Sequence, residues 1–177
     1  MLGQEHSADA CITGAWILDL SRSDTLQGYL HCLGTPQEAI EAQVAVEREY
    51  PSRNVIALDE SKLTIHKDTA VNHYTEEFEL NQEKVSPARS GEGNNHATAS
   101  VGDVSRLDGY VLVTHTSAPS GGRVLETVET RQLIDDGRAH IQQISVHKIA
   151  TARQGTVRRI WTRVPMTQDD QIRLLAG

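Results

Sequence analysis

Two arginines within strand-like stretches are the residues best suited to chemistry. Arg131 lies in the segment VETRQLIDDGR, and Arg159 lies in TVRRIWTRV, two residues before Trp161. A guanidinium group carries a planar set of N–H donors that matches a carboxylate. When such a group is buried it needs an anion or several acceptors, because an unpaired charge inside a protein is costly. If both side chains point inward, they form a site for an anionic ligand.

The direction of these side chains is the question that the pattern leaves open. Residues two apart in a strand share a face, so Arg159 points the same way as Trp161, and Arg131 the same way as Glu129. Both faces of these strands are mixed, which is typical of a barrel that holds a ligand and water. Alternatively, both cations face solvent or form surface ion pairs with Glu126 or Glu129. Pattern alone favours this alternative.

The elements that position the arginines begin with one strand and two helices. A length of 177 residues suits one domain with a sizeable core. A strand over residues 11–20 precedes four apolar residues at helical spacing, Leu26, Tyr29, Leu30 and Leu33. Gly34 is a helix stop, and a second helix starts at Pro36 and ends near Tyr50.

Short strands occupy the chain from residue 53 onward, separated by polar turns that include residues 108–109, 120–122 and 136–137. Residues 83–95 are rich in Gly, Pro, Ser and Asn and predict a mobile loop. Consecutive antiparallel strands of this kind close into a barrel, which removes their edges. We therefore predict an all-β protein, an antiparallel up-and-down β-barrel of about ten strands with a two-helix lid. Residues 1–164 would form this single domain, and residues 165–177 a C-terminal tail with one helical turn or no fixed structure.

Composition excludes several classes of function. A net charge of -7 argues against nucleic-acid binding, and 4% aromatic residues argue against a platform for stacked bases. The first residues lack a secretory pattern and no stretch is long enough to span a bilayer, so a cytoplasmic location is expected. Cys11 and Cys32 are expected to be reduced thiols. The spacing of the histidines does not match a metal site. The sequence contains no nucleophile motif, so neither a cofactor nor catalysis is expected.

Several segments, in order, resemble the intracellular fatty-acid-binding protein family. They are GAWILDLSRSDTLQGYLHCLG, LTIHK, TEEFEL, LDGYVLV, TRQLIDDG and RRIWTR, and together they extend from about residue 11 to residue 164. The resemblance implies that two arginines and a tyrosine hold a ligand carboxylate inside a barrel. The matching positions are Arg131 and Arg159, with Trp161 in the tyrosine position. Trp161 retains an N–H donor but fills more of the cavity.

The resemblance implies a carrier for a long-chain fatty acid or a similar hydrophobic carboxylate, and not an enzyme. Leu26, Tyr29, Leu30 and Leu33 would form the lid through which the ligand passes. The second helix is acidic, so we expect no stable membrane association and release of the ligand into water. A monomer is also expected. The alternative is a barrel that has lost lipid transport and acts as a protein-interaction module, with residues 83–95 and the tail as contact surfaces.

Overall fold

The computed structural model describes residues 11–87, 93–101, 110–119, 125–148 and 153–176. The described strands are β1 (Gly14–Leu18), β2 (Arg53–Leu58), β3 (Lys62–Asp68), β4 (His73–Glu79), β5 (Glu83–Pro87), β6 (Gly93–Val101), β7 (Tyr110–Pro119), β8 (Leu125–Ile134), β9 (Ala139–Lys148) and β10 (Arg153–Val164). The helices are α1 (Gln27–Leu33), α2 (Gln37–Glu49) and α3 (Gln168–Ala176), with a 3-10 turn at Asp135–Gly137.

The ten described strands belong to one antiparallel sheet in the order β4-β3-β2-β1-β10-β9-β8-β7-β6-β5. Strands adjacent along the chain pair with each other, except β4 and β5, while β1 also pairs with β10 and so joins the two halves. Strands β4 and β5 are the two edges. They are drawn together where Leu80 bridges to Ala99 and the Asn81 N–H donates to the Ala99 carbonyl at 2.7 Å. With α1 and α2 between β1 and β2, this confirms the predicted up-and-down barrel with a two-helix lid.

The loop predicted over residues 83–95 is wrong for most of its length. Residues 83–87 form β5 and residues 93–95 belong to β6. The two strands pair in register, with Glu83 opposite Thr98 and Val85 opposite His96. Pairing with a neighbouring strand therefore outweighs the turn-like composition of this segment. Residues 88–92, and the turns predicted at residues 108–109 and 120–122, lie outside the described part of the chain.

The apolar core fills one end of the barrel. Its buried members are Ile12, Trp16, Leu18, Ile56, Leu63, Ile65, Phe78, Ala99, Leu133 and Trp161. The indole of Trp16 donates to the Ile12 carbonyl at 2.9 Å, and the Arg163 guanidinium lies 4.2 Å from its ring centroid. Gly14 has a φ of 146°, and a Cβ there would lie 2.6 Å from the Arg163 guanidinium, so only glycine lets this arginine cover Trp16.

The C-terminal helix lies on the outside of the barrel. Asp170 of α3 is 2% exposed and accepts two hydrogen bonds, at 2.6 and 2.5 Å, from Arg53 of β2. Arg173 donates to Asp68 at 3.0 Å. The tail therefore carries a nine-residue helix, longer than the single turn expected, because tertiary contacts stabilise a short helix that is marginal alone. None of the described helices is long and apolar enough to cross a membrane.

Candidate ligand-binding site

Strand β8 turns Arg131 into the barrel. Glu129, Arg131 and Leu133 are buried, whereas Val128 and Gln132 on the other face are exposed and Thr130 is half-buried. This alternation is the period of a strand with one face inside. Arg131 is only 1% exposed. The arginine whose direction the sequence left open therefore lies inside, together with the acidic residue that shares its face.

Strand β10 turns its arginine inward in the same way. Arg159 and Trp161 are buried, and Arg158 is exposed. On the adjacent strand β9, His140 and Gln142 are also buried. The two arginines and the tryptophan that the sequence singled out therefore share the interior of the barrel.

A cavity of about 340 Å³ lies between the lid helices and the inner face of the barrel strands. Six of its lining residues are charged: Glu47, Lys67, Glu76, Glu129, Arg131 and Arg159. Leu26 and Tyr29 of the predicted lid set line it, together with Ile144 and Trp161. Leu30 is buried and Leu33 is half-buried, and neither is among the described lining residues.

Arg131 is held mainly by Glu129. Its Nε donates to Glu129 Oε1 at 2.6 Å. When the Asn54 side-chain amide is oriented so that its nitrogen donates to the Arg53 carbonyl, its oxygen accepts from Arg131 Nη1 at 3.3 Å. Trp161 presents its ring 5.8 Å from the guanidinium carbon. The remaining nitrogen, Nη2, is buried and has no hydrogen-bond partner among the described residues. A buried cation that lines the cavity thus has one nitrogen without an acceptor in the described part of the chain.

Glu129 is ionised despite its burial. Burial alone would raise the pKa of this carboxyl, but the charges of Arg131 and Lys67 and hydrogen bonds from Arg131 and Gln142 lower the pKa to about 2. At neutral pH the Glu129 side chain therefore carries a full negative charge inside the barrel.

Arg159 joins the barrel to the lid. Its Nη2 donates to Glu47 of α2, and its Nη1 donates to the Asp24 carbonyl at 3.0 Å. Only 4% of the Arg159 side chain and 13% of the Glu47 side chain are exposed. This ion pair ties the second lid helix to β10 at the edge of the cavity.

Lys67 supplies the third cation. Its Nζ lies 2.7 Å from Glu76 Oε2 and 5.5 Å from the ring centroid of Tyr74. Burial lowers the pKa of this amine, but Glu129 and Glu76 outweigh burial and the pKa is raised overall. Lys67 is therefore protonated at neutral pH.

Trp161 uses its donor within the protein. The indole Nε1 donates to Gln142 Oε1 at 2.8 Å. The His140 ring stacks on Trp161 with a centroid distance of 6.0 Å and meets Trp16 edge-on at 4.6 Å. Burial, and then the charge of Arg131, lower the pKa of His140 well below its usual 6.5, so its ring is neutral. Trp161 thus contributes a ring face to the cavity.

Besides Glu129, which alternation placed on the face of Arg131, three charged lining residues were not singled out from the sequence. Glu47 follows Ile40 and Val44 at i, i+4, i+7 spacing, which places it on the inner face of α2. Lys67 follows Leu63 and Ile65 on the same strand face. These two signals were present in the sequence. Glu76, the third, meets Lys67 only through the pairing of β3 with β4.

The chain matches known proteins through its structure. No protein family profile matches the sequence, and no curated protein matches it. The fold is similar to that of the REP1-NXSQ fatty acid transporter, with a TM-score of 0.62 and 15% identity over 88% of this chain and 98% of that one. Apo lipid binding protein 8 of Caenorhabditis elegans gives a TM-score of 0.63 and 14% identity over 89% and 98% of the two chains. The chain therefore shares the fold of this fatty acid transporter and this lipid binding protein, as its sequence motifs indicated.

Proposed function

We propose that this protein is a carrier that binds one small amphipathic molecule inside its barrel. The observation that carries the proposal is Arg131, a buried cation with one unused donor beside a cavity of about 340 Å³. Binding sites for small molecules typically measure about 300–1,000 Å³, so this cavity suits a small ligand. The fold shared with a fatty acid transporter and a lipid binding protein supports the same reading.

The polar head group of the ligand would lie near Arg131 and Arg159, and its apolar part against Leu26, Ile144 and the ring of Trp161. Apolar burial would supply much of the affinity, at about 25 cal/mol per Å². A long-chain fatty acid or similar hydrophobic carboxylate, expected from the sequence, is one candidate. The proposal includes no catalytic step, and the cytoplasmic location and monomeric state stay predictions.

Filling the cavity tests whether the ligand binds there. Thr127 lines the cavity, and Val128, its neighbour on β8, is 40% exposed. We expect Thr127→Phe to weaken binding at least about tenfold, whereas Val128→Phe, the matched control, retains it. Equilibrium dialysis of radiolabelled decanoic acid and decanol measures both variants and the wild-type chain. Wild-type affinity in Thr127→Phe would place the ligand elsewhere and contradict the proposal.

The alternative function, a barrel that acts only as a protein-interaction module, makes the opposite prediction. In that case neither decanoic acid nor decanol binds the wild-type chain at concentrations below their solubility limits. The same dialysis experiment therefore separates the two functions.

A further inference from the structure

The charges that line the cavity balance. Three carboxylates (Glu47, Glu76, Glu129) face three cations (Lys67, Arg131, Arg159), and they meet as three pairs. Arg131 pairs with Glu129 at 2.6 Å, Lys67 pairs with Glu76 at 2.7 Å, and Arg159 pairs with Glu47. Among the described lining residues, each cation already has its own carboxylate.

An anionic ligand would disturb this balance. The low pKa of Glu129 and the raised pKa of Lys67 show that the interior groups keep their charges at neutral pH. A ligand carboxylate that reaches Arg131 therefore competes with Glu129, and one that reaches Arg159 competes with Glu47. Separating a buried ion pair leaves a carboxylate without its partner, which is strongly unfavourable.

An uncharged polar head group meets no such competition. The free donor at Arg131 Nη2 can be satisfied by a hydroxyl or carbonyl oxygen. The same hydroxyl or amide can donate to a carboxylate of the lining, because ionised Glu side chains only accept. An alcohol or an amide can thus accept from the arginine and donate to a carboxylate without separating an ion pair. A ligand carboxylate can only accept.

We propose that the ligand of this barrel carries an uncharged hydrogen-bonding head group, an alcohol or an amide on an apolar chain, and that Glu129 selects against carboxylates. This inference rests on the proposed carrier function and narrows its ligand. Glu129 accepts a hydrogen bond from the Arg131 guanidinium and so competes with a ligand carboxylate for it. Glu47 has the same effect at Arg159 from the lid side.

A matched ligand series tests the inference on the wild-type chain. Decanol, decanamide and decanoic acid share one chain length and differ in the head group. At pH 7 we expect the alcohol and the amide to bind at least about tenfold more tightly than the acid in equilibrium dialysis. Equal or tighter binding of the acid would overturn the inference and leave the carrier function standing. Absence of binding by all three would overturn both.

Removing the internal negative charges tests the role assigned to Glu129. Glu129→Gln and Glu47→Gln retain side-chain size, and each leaves one cavity cation without a carboxylate. We expect either variant to shift the ratio of affinities at least about tenfold towards decanoic acid. Glu49→Gln, at an exposed position of the same lid helix, is the control and should leave the ratio unchanged.

Circular dichroism shows whether each variant is folded before binding is measured. Should Glu129→Gln fail to fold, Glu47→Gln carries the test of competition, because its partner Arg159 retains a backbone acceptor at Asp24. A folded variant whose ratio equals that of the wild-type chain would contradict selection by internal carboxylates.

Discussion

His140 illustrates how a single residue in this barrel responds to its surroundings. It is fully buried between the rings of Trp16 and Trp161, and neither ring nitrogen makes a hydrogen bond of good geometry within the described residues. Arg131, Arg163 and Glu129 are the charged groups that act on it, and burial is the largest influence on its pKa. Protonation of His140 would add a charge next to Arg131, so the folded protein keeps this ring neutral.

Stability should therefore fall in mildly acidic solution. Because the pKa of His140 lies well below 6.5 in the folded chain, the unfolded chain binds one more proton as the pH falls from about 6.5. This contributes a loss of up to about 1.4 kcal/mol in the free energy of unfolding for each pH unit. We expect His140→Phe to remove this part of the slope between pH 6.5 and 5.

Urea unfolding at several pH values measures that slope. The interval ends above 4.5, the usual pKa of a glutamate. The stability contributed by ionised Glu129, whose pKa is about 2, is therefore still almost fully present at pH 5. Parallel curves for the wild-type chain and His140→Phe would show that His140 is not protonated on unfolding in this interval.

At the residue scale the sequence singled out side chains that the structure places inside the barrel, and it left their partners undetermined. Alternation placed Arg131 and Glu129 on one face, but both faces of β8 are mixed in polarity, so the pattern could not say which face is inside. The bond from Trp161 to Gln142 joins residues 19 apart on neighbouring strands. Such a contact depends on strand register, which the local sequence does not specify.

Helix α3 shows how an element is held by one side chain. Asp170 accepts from the Thr167 N–H at 2.6 Å while its own N–H donates to Thr167 Oγ1 at 3.2 Å, which is a capping box. The same carboxylate accepts both hydrogen bonds from Arg53. These contacts lower the pKa of Asp170 far below its usual value, with the Arg53 hydrogen bond as the largest cause.

Loss of the Asp170 carboxylate should release α3 from the barrel. We expect Asp170→Asn to lower the free energy of unfolding by about 2 kcal/mol, the contribution of a hydrogen bond to a charged group. Hydrogen exchange of the α3 amides should accelerate in this variant. Asp169→Asn, at the exposed neighbouring position, should change neither quantity appreciably. If both variants behave like the wild-type chain, Asp170 does not hold the helix.

The lid helix α2 should open more readily when its tie to β10 is weakened. Glu47→Gln removes the charge that pairs with Arg159, and we expect α2 amides to exchange about fivefold faster, as for the loss of about 1 kcal/mol. Glu49→Gln serves as the control. Unchanged exchange in Glu47→Gln would mean that α2 is held by apolar contacts such as those of Ile40, which is 1% exposed.

At the element scale the sequence predicted the elements whose signals are local. Gly34 ends α1 with a φ of 84°, as expected of a helix stop. The turn predicted at Asp136–Gly137 is present, with φ of 54° and 79°. The β5–β6 hairpin was missed because Ser, Gly and Asn predict a loop, whereas partner strands decide this pairing. The T-x-x-D signal of α3 was available in the sequence and was not used.

The whole molecule divides into an apolar end and a charged end. Trp16, Ile56 and Leu63 belong to the core that fills one end of the barrel, whereas Lys67, further along the same strand face as Leu63, reaches the cavity. The mixed faces that made the strands ambiguous in sequence follow from this division. Along one strand, the inward face contributes to the packed core at one end and to the polar cavity at the other.

The central claim is that this cavity binds an amphipathic molecule beside Arg131, and a crystal structure of the chain with decanol tests it most directly. We expect one elongated ligand inside the barrel, with its hydroxyl oxygen about 3 Å from a nitrogen of the Arg131 guanidinium. A cavity that holds only water at saturating decanol, or a ligand on the outer surface of the sheet, would contradict binding beside Arg131.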